Sequence, residues 1–234
     1  MPHRKPRNYS KFHLTTPLKR EHNPESLTIS QEGFSMTRLI LSLGTALLLT
    51  VGTVWADPFE DAAAAYARGD YAIALKAFKS LAAQGDAMAQ YHLGVAYVNG
   101  QGVPRDYTKA REWFEKAAVQ GNAMAQHHLG VLYRNGKGVP QDYAKAREWY
   151  EKAAAQGIAE AQINLGMLYE GYGVPHDEVR AYMWYSLAAG HLSGDEQKIA
   201  VDNRDKAARS MTPDQIAEAQ RLAQQCQAQQ FKGC

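Results

Sequence analysis

The sequence predicts an all-α fold, a right-handed α-solenoid of antiparallel helical hairpins, and three observations carry that prediction. Residues 83–118 recur 36 positions later as residues 119–154, with 27 of the 36 positions identical. Self-similarity over that length identifies stacked supersecondary units in place of one globular core. Inside each unit the apolar residues fall at helical spacing and are punctuated by glycine and proline. Alanine is abundant and long β-branched runs are lacking, a composition that leans towards helix.

The N-terminal quarter stands apart from this pattern. Residues 1–35 are polar, carry Pro2, Pro6, Pro17 and Pro24, and show no helical period, so they are expected to be a disordered or mis-assigned extension. From Met36 onward, one arginine, an apolar stretch from Leu39 to Val54 and the sequence Val54-Trp55-Ala56 predict a signal peptide over 36–56, cleaved after Ala56. Met36 is then the expected start, the alternative being a long basic extension of the leader from Met1. The 16 residues from Leu39 to Val54 are interrupted by Ser, Gly and Thr and fall short of the roughly 20 needed to span hydrocarbon, so no stable membrane insertion is expected after signal cleavage. Residues 1–56 hold seven Lys/Arg and three Glu, which leaves 19 basic and 21 acidic residues of the chain's 26 and 24. A near-neutral body lacks the clustered basic footprint that nucleic acid requires.

The elements follow in order. Residues 57–84 form an N-terminal hairpin whose inter-helix loop is only Arg68-Gly69-Asp70. Unit 85–120 opens with helix A, where Ala89, Leu93 and Tyr97 recur at i, i+4 and i+8. Asn99-Gly100-Gln101-Gly102 stops it, because glycine takes positive φ without steric cost. Pro104 blocks continuation and Asp106 is placed to cap helix B. In helix B the expected buried stripe is Ala110, Trp113 and Ala117, and Gly121 ends the unit. Gly94 and Ala110 mark the expected close approach of the two helices, with Tyr97 and Trp113 filling the space beside them. Unit 121–156 repeats this, and unit 157–189 repeats it with one loop residue fewer and Glu178 where the others have Tyr107 and Tyr143. Residues 190–234 are expected to cap the open end and finish in a tail: one helix around Glu196–Arg209, then another announced by Met211-Thr212-Pro213-Asp214-Gln215. There Thr212 and Gln215 form a capping box, Pro213 takes the first helical position, and Ile216, Ala219, Ala223 and Cys226 make the apolar stripe. Cys226 and Cys234 are the chain's two cysteines; they form a small disulfide loop in an oxidising compartment or remain two unpaired thiols.

The pattern Gly85, Ala87, Ala89, Leu93, Gly94, Tyr97, Gly100, Gly102, Val103, Asp106, Lys109, Ala110 and Trp113 resembles the Sel1-like repeat, which is similar in architecture to tetratricopeptide repeats with a longer inter-helix loop. The resemblance covers residues 85–189, while the hairpin 57–84 is more similar to a tetratricopeptide cap. It implies a secreted or periplasmic scaffold of the kind that assembles complexes and restrains membrane signalling proteins. A cysteine-rich branch of the family has been linked with β-lactam binding; that branch carries paired cysteines in each repeat, and residues 85–189 contain none.

No chemistry-bearing motif stands out. The loops NGQGVP, NGKGVP and EGYGVP lack the preceding strand and the Lys-Ser/Thr of a phosphate cradle. His92 and His128 occupy equivalent places in successive units with Asn164 third, which reads as polar lining of a helix face in place of convergent metal ligands. No Gly-x-Ser-x-Gly elbow, His-Glu-x-x-His or Cys-His arrangement occurs, so no catalytic residue, cofactor or metal is expected and the chain is read as no enzyme. Binding is different. A helical wheel sets Met88, Tyr91, Val95 and Val98 of the first helix A opposite Ala89, Leu93 and Tyr97, followed by Met124, His127, Val131 and Arg134, then Glu160, Ile163, Met167 and Glu170. Side by side these rows either line a concave groove with an apolar floor (Val95, Val131, Met167) and a variable rim, suited to an extended or helical peptide, or pack one helix A against the next.

The expected function is a non-enzymatic protein-protein interaction scaffold or adaptor of the cell envelope, periplasmic or secreted, that holds a protein or peptide partner on the concave face. Two other readings compete: an envelope structural or secretion-associated factor contacting glycan, and the β-lactam-binding hydrolase of the cysteine-rich branch.

Overall fold

A computed structural model describes residues 57–231 and residue 234; the extension over 1–35 and the leader over 36–56 lie outside the described residues. Among the described residues there are ten helices and no strand: α1 (Pro58–Arg68), α2 (Tyr71–Ala83), α3 (Ala87–Asn99), α4 (Tyr107–Val119), α5 (Ala123–Asn135), α6 (Tyr143–Ala154), α7 (Ala159–Tyr169), α8 (Glu178–Ala189), α9 (Gly194–Ala208) and α10 (Pro213–Ala228). Helices α3, α5 and α7 are the A helices of the three units, and α4, α6 and α8 are the B helices. Each of α1 to α8 packs on its hairpin partner and on the helix that follows in the chain. Every A helix from α3 onward is therefore wedged between two B helices, as in a solenoid.

Side-chain caps start nearly every helix where the sequence places Asp or Asn. Asp86 accepts from Ala89 N, Asn122 from Ala125 N, and Asp106, Asp142 and Asp177 accept from Lys109, Lys145 and Arg180 N, each satisfying one of the orphan N–H groups of a first turn. Ile158 takes the cap position of α7 without a side-chain bond, so the third unit starts less firmly.

The core of each unit is built around one fully buried ring of helix B pressed onto a glycine of helix A: Phe114 on Gly94, Tyr150 on Gly130, Tyr185 on Gly166. A Cβ added to Gly130 would sit 2.5 Å from Tyr150 Cδ1, so the glycine is needed for room. Burying one such ring stabilises the unit by about 1.5–3 kcal/mol. This corrects the expected helix B stripe: Ala110, Phe114 and Ala117 are buried, whereas Trp113 is half-buried, packs backward against the cluster of α1, α2 and α3, and has Lys116 over its ring at 4.1 Å.

The second glycine of each inter-helix loop joins units. Gly138 has φ +70°, and a Cβ there would meet the Tyr107 carbonyl carbon at 2.5 Å; the loop of one unit thus lies against the first turn of the previous helix B. Gly102 makes the same approach to Tyr71 and Gly173 to Tyr143.

At the C-terminal end α9 packs on α8, and α10 also packs chiefly on α8. The Thr212–Gln215 capping box is formed, Pro213 opens α10, and Ala219 and Cys226 are its buried residues. Cys226 and Cys234 are joined in a disulfide with a Cα–Cα distance of 5.5 Å. Phe231 N donates to Cys226 O, and the Phe231 ring lies edge-on to His191.

Candidate binding face

The A helices carry every residue expected to line a groove, and the structure divides them. Tyr91, Val95, His127, Ile163 and Met167 are buried, while Met88, Val98, Met124, Val131, Arg134 and Glu170 are half-buried. Tyr91 and Val95 pack against α4 and α5, in one cluster with Phe114, Ala125 and Leu129. Val95 and Met167 therefore hold helices together, and Val131 alone of the three expected floor residues stays reachable. What remains open to a partner is part of Met88, Val98, Met124 and Val131, each of which also packs on the core, and part of Arg134. Glu170 already pairs with Lys206 of α9 at 3.1 Å.

Between units the buried rows are polar and in register. Tyr91 Oη lies 3.3 Å from His128 Nε2, and at the equivalent position one unit on, Asn164 Nδ2 donates to His127 Nε2 at 3.0 Å. Arg134 donates from its guanidinium to Asn164 Oδ1 at 2.8 Å. That bond orients the amide, and with it the tautomer of His127: Nε2 accepts, so the proton resides on Nδ1, which meets no partner. Rings continue the chain of contacts. Phe78 stacks on His92 at 4.9 Å, His92 meets Tyr91, and His128 lies stacked between Tyr91 (5.6 Å) and Phe114 (5.0 Å).

Burial holds all three of these histidines neutral. It pushes His92 down to about 4 despite the opposing field of Asp86, and pushes His128 down to about 4. His127 falls well below its ordinary value through burial first, then through the neighbouring His128 and Arg134 charges. Burial also raises the hydroxyls of Tyr91 and Tyr150.

A second ladder was not anticipated. Gln90, Gln126 and Gln162 occupy one position of successive A helices and are all buried. Each donates to the last turn of the preceding helix B, to Ala82, Ala118 and Ala154 O. Gln120 and Gln156, at the ends of α4 and α6, then donate to Gln90 and Gln126 Oε1, both at 2.8 Å. The third rung is broken: with one loop residue fewer, His191 stands where that donor would be, its Nδ1 lies 2.8 Å from Leu187 O, and Gln162 Oε1 is buried without a partner. The signal was present in the sequence, since an identical glutamine inside an apolar helix has to find hydrogen bonds.

Among the described residues no group of three His, Cys, Asp or Glu side chains is placed to hold a metal ion, and no helix is long and apolar enough to cross a membrane.

Hairpins that repeat every 36 residues, joined by loop glycines and inter-unit amide rungs, define an α-solenoid repeat protein. Residues 87–122, 123–158 and 159–190 match the Sel1 repeat. The chain is 30% identical to a Sel1 repeat protein from Oxalobacter formigenes of known crystal structure, over 72% of this chain and 75% of that one, with a TM-score of 0.55. It is 28% identical to a protective antigen of uropathogenic Escherichia coli strains that displays an SLR fold, over 74% of this chain and 46% of that one, with a TM-score of 0.51. No curated protein matches. The chain belongs to the Sel1 repeat family, whose repeats commonly mediate protein interactions.

Proposed function

We propose that this protein is a non-enzymatic scaffold of the cell envelope that holds a protein or peptide on the concave face lined by its A helices. The single observation that carries this reading is the set of half-buried apolar side chains that successive A helices carry, Met88 and Val98 on α3 and Met124 and Val131 on α5. Rigid helices present these side chains at a fixed spacing, which suits an extended or helical segment. An envelope location is supported by the leader read at 36–56 and by the Cys226–Cys234 disulfide, since such bonds persist in oxidising compartments.

The test uses two half-buried residues that pack only partly on the core. Met88→Glu with Val131→Glu is expected to abolish capture of partners from envelope extract while the helical circular dichroism at the capture temperature remains that of the parent, with a melt lowered by the partial burial of the two charges. A matched pair on the B helices, Lys116→Glu with Lys152→Glu, is expected to leave capture intact. Unchanged capture by the first variant would overturn the assignment of this face.

A further inference from the structure

We infer that Arg134 is an anchor for a carboxylate, so that the segment held on the A-helix face is an acidic peptide; this rests on the binding reading above and names the chemistry of its partner. Arg68, Arg111, Arg147, Arg180, Arg204 and Arg221 each lie 2.6–3.5 Å from a carboxylate oxygen, and Arg105 and Arg209, which have no ion pair among the described residues, are exposed to solvent. Arg134 is half-buried and has no ion pair among the described residues. Its surroundings offer it none. Close to it lie two buried neutral groups, His127 and Tyr150, and the Tyr150 hydroxyl is itself without a partner. On the facing helix α7, Glu170 is committed to Lys206 and Glu160 makes no bond to the guanidinium. A partly desolvated cation beside neutral groups is costly unless an anion meets it.

The guanidinium is also pre-oriented. One N–H is held by Asn164 Oδ1 at 2.8 Å, and that amide is locked by His127. A guanidinium has five N–H donors in a rigid fork, and the remaining ones meet no acceptor among the described residues. A planar carboxylate is the anion that matches a fork of parallel N–H groups, accepting two bonds at once. One turn earlier on α5 stands Val131, with Met124 beyond it. The equivalent of Arg134 in the first unit is Val98, and in the third it is Glu170. The positive charge therefore occurs once along the row, with an apolar surface towards the N-terminal units and an acidic residue towards the C-terminal end. A peptide laid along it is fixed in direction, with its carboxylate at the junction of units two and three and its apolar side chains over Val131, Met124 and Val98.

The experiment is selection from a phage-displayed random dodecapeptide library on the intact protein, followed by titration of synthetic copies of the selected peptides. Selected peptides are expected to carry Asp or Glu beside apolar residues. Arg134→Gln is expected to weaken them about ten- to hundredfold, Arg134→Lys less, and the amide version of the peptide residue is expected to lose as much on the parent but nothing further on Arg134→Gln. Unaltered circular dichroism keeps the comparison to binding. Peptides enriched without acidic residues and lost on Val131→Glu would overturn the carboxylate anchor and leave the binding face standing. If no peptide is enriched, both fall. Full displacement of an acidic peptide by millimolar inorganic phosphate would show a general anion site and overturn the peptide assignment.

Discussion

Lowering the pH from 7.5 to 4.5 will loosen the central repeats, and the three neutral histidines set the size of the effect. In the unfolded chain each titrates near 6.5, while in the fold His92 and His128 titrate at about 4. Between those values the unfolded state binds more protons than the folded one, so stability is complete above pH 6.5, falls as the pH drops towards 4, and changes no further below it. Each of the two contributes a loss of about 2.5 kcal/mol at pH 4.5, from 1.36 kcal/mol per unit. His127, shifted the same way, adds to it. A loss of that size is a large fraction of the roughly 5–15 kcal/mol that holds a domain together, and it is concentrated in α3 and α5. The assay is urea unfolding followed by circular dichroism at constant ionic strength, stepped through pH 7.5, 6.5, 5.5 and 4.5. His92→Phe supplies the control. His92 stacks nearly parallel on Phe78, 12° between planes, and its Nδ1 has no partner, so a phenyl ring keeps the contact and deletes the proton site. The variant should match or exceed the parent at neutral pH and lose about 2.5 kcal/mol less on acidification. If parent and variant fall in parallel, the acid sensitivity belongs to the carboxylates and the argument from buried histidines is refuted.

Three further outcomes follow from the same contacts. Gln126→Met should cost about 1–3 kcal/mol, because it breaks the bond to Ala118 O and strands Gln156, whereas Gln162→Met should cost less, having a single 3.5 Å bond and an already unpartnered Oε1 to lose; urea midpoints of the two variants decide this, and equal losses would mean the rungs do not matter. Gly130→Ala should cost about 1–3 kcal/mol or more by overpacking, since its Cβ would lie 2.5 Å from Tyr150 Cδ1, and adding Tyr150→Leu should recover part of the loss in the same thermal melts. Reducing the Cys226–Cys234 bond removes a small closed loop worth about 2.5 kcal/mol on chain-entropy grounds; hydrogen exchange should then quicken in α10 and leave α3 to α6 unchanged.

The hairpins, their caps and the glycine stops were legible because each depends on neighbours within a few residues. A cap bond is made within one turn, so Asp106, Asp142 and Asp177 follow from the sequence around them, although Asp70, at the start of α2, makes no such bond. Contacts between units were harder. Trp113 and Phe114 are adjacent, and a periodic pattern alone does not decide which ring turns inward; Gly94 decides it by leaving room for Phe114 and none for a Cβ of its own. The face opposite Leu93 was legible as apolar, yet how much of it stays open depends on the spacing between α3, α4 and α5, which no single helix encodes. Tyr91 and Val95 are consumed by that spacing, and Met88 and Val131 are spared.

The third unit shows which positions a repeat can release and which it has to keep. It retains Gly166 against Tyr185, Gly173 against Tyr143 and the Gln162 bond to Ala154, the contacts that define the hairpin and its junction. It changes Asp86 and Asn122 to Ile158, Gln120 and Gln156 to His191, and the row Val98, Arg134 to Glu170. The cap and the rung it gives up are each worth about 1 kcal/mol, tolerable once α8 is buttressed by both α9 and α10. The row it changes is half-buried in every unit, and each unit gives its residue a different contact: Val98 packs on the core, Arg134 bonds Asn164 and Glu170 pairs with Lys206. Variation there is what a repeat protein needs in order to distinguish the two ends of a bound chain, and the one unpaired cation of that row sits beside the one place where Asn replaces His in the buried polar network.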